Sequence, residues 1–440
     1  MNAVFPKFTS SDKELNITYQ YRCELYNRHI KPTPAGHVIS EFLPDVPWAG
    51  IYNTISCAAM HHFRDGRWMQ NTEPLTSYAK FWCTVGNPRL YSFPISDSVL
   101  QLEKVTGDPA LANELYPQLT RIVKEWDDHK RENGMYRQDC NYDGMEYSIS
   151  GDGFRPTINS YMAADFAALA KIANRVSDTE NAEKYQQNAE FLKDQINRTL
   201  WNDSIGMYAV VSDAGEMQNV KEQIGYIPWI YGIPTEGRDQ CFENLLDPNC
   251  FLSPYGLRTA DASHPDYRKP FDHECLWNGP IWPFATSQTL TALIEYLHST
   301  KEPAIGADDF TELLLTYARS HRDTDGTPWM DENMDPDNGI WLAREILRSW
   351  GREDKDRGQH YNHSTFIDLV MTGICGIRPS HDDRLTVHPL GTALDYFSVS
   401  DVPYHGHLLN IDWNKENGLK VTVDQTKSYC SKDGYLEIDL

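Results

Sequence analysis

Residues 179–201 read TENAEKYQQNAEFLKDQINRTLW, and Ala182, Tyr185, Ala189, Leu192, Ile196 and Leu200 recur there three or four positions apart. At helical spacing these side chains share one face, so the stretch predicts an amphipathic helix lying on a core. A second helix is predicted from Trp282 to His298 through Phe284, Leu290, Leu293, Ile294 and Leu297. Working outward gives helices near 50–62, 72–86, 95–105, 109–131, 157–176, 180–201, 220–231, 237–246, 281–299, 307–321, 341–350 and 365–376, separated by loops rich in Gly, Pro, Asp and Trp. Taken in sequential pairs, these suit six helical hairpins closed in a ring, with nearly apolar inner helices and amphipathic outer ones. Pro117 is expected to kink or split the fourth.

The period changes at both ends. After Pro379, Leu385 and Val387, then Leu419, Val421 and Val423, alternate with polar residues between turn signals such as Glu416-Asn417-Gly418 and Lys432-Asp433-Gly434. That pattern predicts a small antiparallel β appendage over 380–440. Residues 1–49, punctuated by Pro32, Pro34, Pro44 and Pro47, read as an extended N-terminal arm, which leaves 50–379 as the helical catalytic unit. The expected fold class is mainly α.

The chain has 440 residues, 40% hydrophobic and 23% charged, a globular composition. Its formal net charge of -23 would repel nucleic acid and anionic membrane surfaces, so a neutral small-molecule partner fits better. No run approaches the length of an apolar membrane span, and the first residues lack the basic and apolar regions of a signal peptide. Nine cysteines without a C-x-x-C pair point to free thiols in a reducing compartment, hence a cytoplasmic location, rather than a disulfide frame or zinc site. The 24 Tyr and 12 Trp mostly fill cores, but such rings also stack on sugar C–H faces. Oligomeric state is left open.

Several loops gather chemistry. Asp143 and Glu146 sit in YDGMEYS (142–148), just ahead of Arg155, which precedes a predicted helix. Either acid could serve a two-carboxylate glycoside cleavage, with Tyr147 and Arg155 as contacts, and the bland alternative is a surface carboxylate or a partner for Arg155. Glu332 lies in a loop between Trp329 and Trp341 that is too irregular for a calcium-binding hand. Residues 272–283, DHECLWNGPIWP, collect Glu274, Trp277, Asn278, Gly279 and Trp282, which either line a sugar subsite or cap a helix. Trp48, Arg67 and Trp68 are assigned to the same rim. Tyr361 and His363, in YNHSTF (361–366), read as hydrogen-bonding support.

These strings resemble the trehalase-like and glycoside hydrolase family 63-like clan, which includes mannosylglycerate hydrolase-like domains, over roughly residues 45–380. The resemblance implies an (α/α)6 barrel, the six-hairpin toroid. Residues 142–148 are similar to the clan's segment E-S-G-[MW]-D-x-S, which puts Glu146 at the position of the general acid and Tyr142 where the clan has Glu, with Asp143 as the fallback. Glu332 to Gly339 matches the clan's general-base loop E-x-x-x-P-x-x-G at all three fixed positions, and Trp277 to Trp282 resembles its sugar-contact loop W-x-G-P-x-W.

Members of the clan invert configuration, which implies two carboxyl groups about 6.5–9.5 Å apart with a water beside the base. The acid's pKa must then be raised, with Tyr142, Tyr147 and Trp277 as expected walls, and no metal or organic cofactor is needed. The expected activity is exo-acting hydrolysis of a small saccharide or glycoside, α-glucosidase-like by kinship. The alternatives are a catalytically silent carbohydrate-binding protein, or an epimerase, lyase or phosphorylase on the same barrel.

Overall fold

The structure, a computed structural model, describes residues 3–440. Its α-helices are α1 (Lys13–His29), α2 (Ser56–Gly66), α3 (Glu73–Thr84), α4 (Ile95–Thr106), α5 (Ala110–Glu125), α6 (Pro156–Arg175), α7 (Thr179–Thr199), α8 (Ile227–Ile230), α9 (Pro283–Ser299), α10 (Ala307–Arg319), α11 (Leu342–Ser349) and α12 (Phe366–Leu369). Pro156 and Pro283 open α6 and α9 in the first turn, where a proline's fixed φ suits the helix and its missing N–H costs nothing. Both helices are buried almost all round, whereas α7 buries only the Ala182, Tyr185, Ala189, Leu192 and Ile196 face. Contacts between inner helices pass from α2 to α4, α6, α8, α9 and α12 and return to α2. Amphipathic or short outer helices alternate with them along the chain.

The extended arm expected at 1–49 is not what forms. Residues 13–29 make α1, capped by Asp12, whose carboxylate accepts from the Leu15 N–H at 2.8 Å. This helix packs on α10 and α12. Its buried face holds Leu15, Thr18, Tyr19, Arg22, Leu25, Tyr26 and His29, so polar side chains interrupt the apolar period that would have revealed it. An antiparallel hairpin, Ile30–Thr33 with Gly36–Ile39, then leads into residues 40–55. Consequently α1 supplies the outer helix beside α10, and α11 lies in the connection between α10 and α12.

Pro117 does not split α5, which runs through it. The ring sits on the exposed side while Ala112, Leu115, Leu119, Ile122 and Val123 pack inward, and that stripe holds the turns on both sides. The predicted segments at 220–231 and 237–246 are shorter than expected, a 3-10 turn leading into α8 and a 3-10 stretch over Asp239–Leu245.

The C-terminal region is antiparallel β as expected, but it recruits the N-terminus. Lys7–Ser10 pairs with Tyr396–Tyr404, followed in order by His407–Asn414, Gly418–Val423 and Lys427–Ser431. Phe397, Val399, Ile411, Leu419 and Val421 alternate inward and are fully buried. Leu436–Asp439 closes a second sheet with Arg384–Val387 and Ile377–Arg378. Among the described residues no helix is long and apolar enough to cross a membrane, and no cysteine is paired in a disulfide.

Candidate active site

Loops between the helices meet over a pocket of about 690 Å³, counted to its open mouth. Of the residues picked from sequence, Glu146, Glu332, Glu274, Trp48, Trp282, Tyr361 and His363 line it. Three loops are pinned to one another there. The Trp277 N–H donates to the Glu146 carbonyl at 3.0 Å, Ile281 and Met334 exchange backbone hydrogen bonds at 2.9 Å, and the Asn333 side chain donates to the Glu274 carbonyl at 2.9 Å. Asn333 also starts α11, its Oδ1 accepting from the Ala343 N–H at 2.8 Å. These bonds hold Glu332 and Glu146 on a common frame although neither sits on a helix.

Glu332 is buried, and its N–H donates to the Asp331 carboxylate at 2.8 Å. The Cys275 thiol donates to its Oε1 at 3.6 Å, and the Arg357 guanidinium lies 3.8 Å from Oε2. Burial pushes its pKa up to about 8, partly countered by Arg357, with Asp331 and Glu274 adding to the rise. For Glu146 burial raises the pKa to about 7; its own backbone N–H opposes this and Glu274 reinforces it. Glu274 behaves differently: burial would raise it, yet the guanidinium of Arg357, which donates to it directly, holds it below the usual range. The pocket thus carries a proton-retaining carboxyl in each of two loops and an anchored ion pair between them.

Asp143 and Arg155 are not part of this pocket. Arg155 donates through Nε to the Asp143 carboxylate at 2.5 Å, Ser92 donates to the same group at 2.6 Å, and Thr157 completes the set. All are buried in the packing at the start of α6. Asp143 is therefore the counter-charge of Arg155, and neither side chain borders the pocket.

Arg67 and Trp68 also fall elsewhere. Both are buried at the C-terminal end of α2, where the Arg67 Nε (2.9 Å) and the Trp68 indole N–H (2.7 Å) donate to Asp368 of α12. They tie two inner helices together and do not border the pocket. The Trp277 ring stacks behind Trp282 at 4.3 Å, a support to the wall rather than its surface. Asn278 is buried with its amide donating to the Lys269 carbonyl at 2.8 Å. Gly279, at φ +143°, lies so close to the Tyr267 ring that a Cβ would meet it at 2.4 Å, so this glycine serves packing.

Trp329 is covered by Arg344 at 4.5 Å, and the Trp341 indole donates to the Arg322 carbonyl at 2.9 Å; neither borders the pocket. Tyr147 is exposed at the rim, 4.6 Å from the Phe271 ring and 5.2 Å from His273. Tyr142 is exposed as well and borders a separate hollow shared with Tyr91, Asn141 and Glu146, so of the expected walls around the acid only Trp277 is interior.

Glu41, Arg357 and Cys275 are among the pocket residues that escape a sequence reading. Glu41 and Arg357 sit in stretches with no motif, and only the neighbouring Trp48 and the Tyr361 segment hinted that those stretches face the site. Cys275 was within the 272–283 loop but has no chemical signature there. His363 is buried, and burial keeps its imidazole well below its ordinary pKa and hence neutral, in keeping with support rather than base chemistry.

Solved structures show where such a frame recurs. A chain described as a sialidase is 31% identical with TM-score 0.93, covering 99% of this chain and 41% of that one. A GH78 family rhamnosidase of Bacillus sp. GL1 is 14% identical with TM-score 0.63, covering 96% of this chain and 42% of the other. A GH63 mannosylglycerate hydrolase of Thermus thermophilus, in complex with glucose, is 14% identical with TM-score 0.58, covering 81% of this chain and all of its own (100%). Among curated proteins, an uncharacterized protein of Borreliella burgdorferi is 26% identical over 166 residues, which are 37% of this chain and 35% of that protein. The chain thus spans well under half of the sialidase chain and of the Borreliella protein. Residues 51–364 match the family described as mannosylglycerate hydrolase MGH1-like glycoside hydrolase domain. With that match over most of its length, the chain belongs to the MGH1-like glycoside hydrolase family.

Proposed function

We propose that this chain is an inverting, exo-acting glycoside hydrolase built on an (α/α)6 barrel, with residues 50–379 as its catalytic unit and 380–440 as a β appendage. The observation that carries the reading is the convergence of Glu146 and Glu332, from loops far apart in sequence, on one pocket of about 690 Å³. Leaving out the open mouth, the enclosed space is about 190 Å³, which suits a single sugar ring better than a long polymer.

In the proposed reaction Glu146, neutral, gives its proton to the glycosidic oxygen as the bond to the anomeric carbon breaks. Glu332, ionised, takes a proton from a water that attacks that carbon from the opposite face. Two features bear on this division. Glu146 borders both the main pocket and the adjoining hollow lined by Tyr91 and Tyr142, the position a proton donor needs between the cleaved sugar and its leaving group. Glu332 lies 3.8 Å from the guanidinium of Arg357, which partly counters the burial that raises its pKa to about 8, above the about 7 of Glu146, so the reacting form is the minority one with the proton on Glu146. An α-glucoside is the first substrate to test, and the unpaired thiols fit a reducing, cytoplasmic setting.

Glu332→Gln is expected to lose at least about 1,000-fold in kcat with an unchanged circular dichroism spectrum, and full activity in that variant would reject the base assignment. Proton NMR of the first-formed anomer tests inversion. A carbohydrate-binding protein without turnover is the second reading, favoured by the burial that keeps Glu332 protonated near neutral pH. Calorimetric binding of sugars whose glycosides are never cleaved would select it.

A further inference from the structure

We infer that Glu41 is a specificity-determining residue of this pocket, admitting sugars whose ring substituents are hydroxyls and refusing those that carry a carboxylate. The inference rests on the hydrolase reading above and deepens it. Glu41 and Trp48 come from the segment that precedes the family-matched region, which begins at residue 51. That segment is held firmly. The Glu41 N–H donates to the Asn53 carbonyl at 2.8 Å, and the Asn53 side chain donates to the Phe42 and Pro44 carbonyls at 2.9 and 3.0 Å.

Glu41 is 4% exposed and lines the pocket. The Trp48 indole donates to its Oε2 at 3.1 Å. Its Oε1 lies 3.9 Å from the His363 Nε2, too far for a hydrogen bond, and that buried Nε2 has no hydrogen-bond partner among the described residues. His363 is 3% exposed and faces the same space. An unpartnered imidazole nitrogen beside a carboxyl oxygen suits a ligand hydroxyl that bonds to both.

The groups around them disfavour an anion. Among the described residues four carboxyls, Glu41, Glu146, Glu274 and Glu332, and one guanidinium, Arg357, face the pocket; burial, reinforced by neighbouring carboxyls, raises Glu41, Glu146 and Glu332 above the usual carboxylate range, so the pocket resists a further negative charge. That guanidinium is already engaged: it donates to Glu274, lies 3.8 Å from Glu332 and stacks over Trp48 at 4.8 Å. His363 is kept neutral by burial, and the His273 Nδ1 accepts from the Cys275 N–H at 3.0 Å. A ligand carboxylate would be desolvated beside these acids with no unspent cation to meet it, whereas a hydroxyl finds acceptors.

The test uses paired 4-nitrophenyl hexosides and hexuronides with the full chain. Wild-type protein is expected to hydrolyse a hexoside at least about 50-fold better in kcat/KM than its hexuronide, and Glu41→Gln to raise KM for that hexoside about tenfold with a smaller loss in kcat. Equal turnover of hexoside and hexuronide, or an unchanged KM in a folded Glu41→Gln, overturns the proposal. If the variant does not fold, the wild-type comparison decides alone. Failure of the hydrolase reading looks different, with no pair cleaved at all. Calorimetry with free hexoses and hexuronic acids then decides: a hexose bound and its uronic acid excluded supports the role of Glu41, and any other result overturns it.

Discussion

At the scale of single residues the site is a problem in proton placement. Glu146 and Glu332 have pKa values pushed up to about 7 and about 8, so a proton is shared out between them across the neutral range. In the proposed reaction the active form holds one proton on Glu146 and none on Glu332, the minority arrangement of a single proton because Glu332 is the weaker acid. A bell-shaped dependence of kcat/KM on pH is therefore expected, with its maximum between about 7 and 8. Arg357 opposes the rise at Glu332, so Arg357→Gln should move the alkaline limb to higher pH and lower kcat/KM about tenfold or more, and an unshifted profile would show that this guanidinium does not set the base. The same shift has a stability consequence. Because the folded state holds the Glu332 proton more tightly than the ordinary value of 4.5, the favourable contribution is complete below that value and is lost as pH rises through about 8. Glu332→Gln should then melt about 2–4 °C above wild type at pH 8.5 and gain less at pH 5, read by differential scanning calorimetry.

At the scale of elements, α1 is the part that sequence reading missed and the site depends on. Arg22 on its buried face donates to the Asn362 Oδ1 at 3.0 Å and the Tyr361 carbonyl at 3.3 Å, and lies 3.7 Å from Asp65 of α2. It fixes the extended stretch that presents Tyr361 and His363 to the pocket. Arg22→Met removes these donors and leaves Asp65 buried beside no cation, so a loss of about 3–5 kcal/mol in unfolding free energy is expected by denaturant titration. By contrast α7 was legible because its buried apolar residues recur three or four positions apart behind the Asp178 cap, and α6 and α9 because a proline opens each and apolar residues outnumber the polar ones they bury. Helix α1 hides an arginine, a histidine and a threonine on its core side, and a polar residue cannot announce from sequence that it will be paired and buried.

At the scale of the whole molecule, the two ends of the chain meet. Lys7–Ser10 forms the edge of the C-terminal sheet, and α1 packs against α10 and α12. A chain ending at residue 379 should accordingly lose the partner of its own N-terminal strand and expose Phe8 and the side of α4 against which Tyr396–Tyr404 packs. We expect it to be insoluble or to melt well below the full chain, whereas an independent appendage would leave the melting temperature unchanged.

The amino-acid sequence determined the helical rhythm and the switch to period-two strands after Pro379, because those signals are local and repeat within a few residues. Tertiary structure alone decided which acid is free and which is spent, since Asp143 and Glu146 differ only in whether Arg155 or the pocket lies across from them. It likewise decided that Arg67 and Trp68 serve helix packing and that Glu41 and Arg357 join the site. Burial and pairing depend on neighbours brought from hundreds of residues away, and no spacing along the chain encodes them.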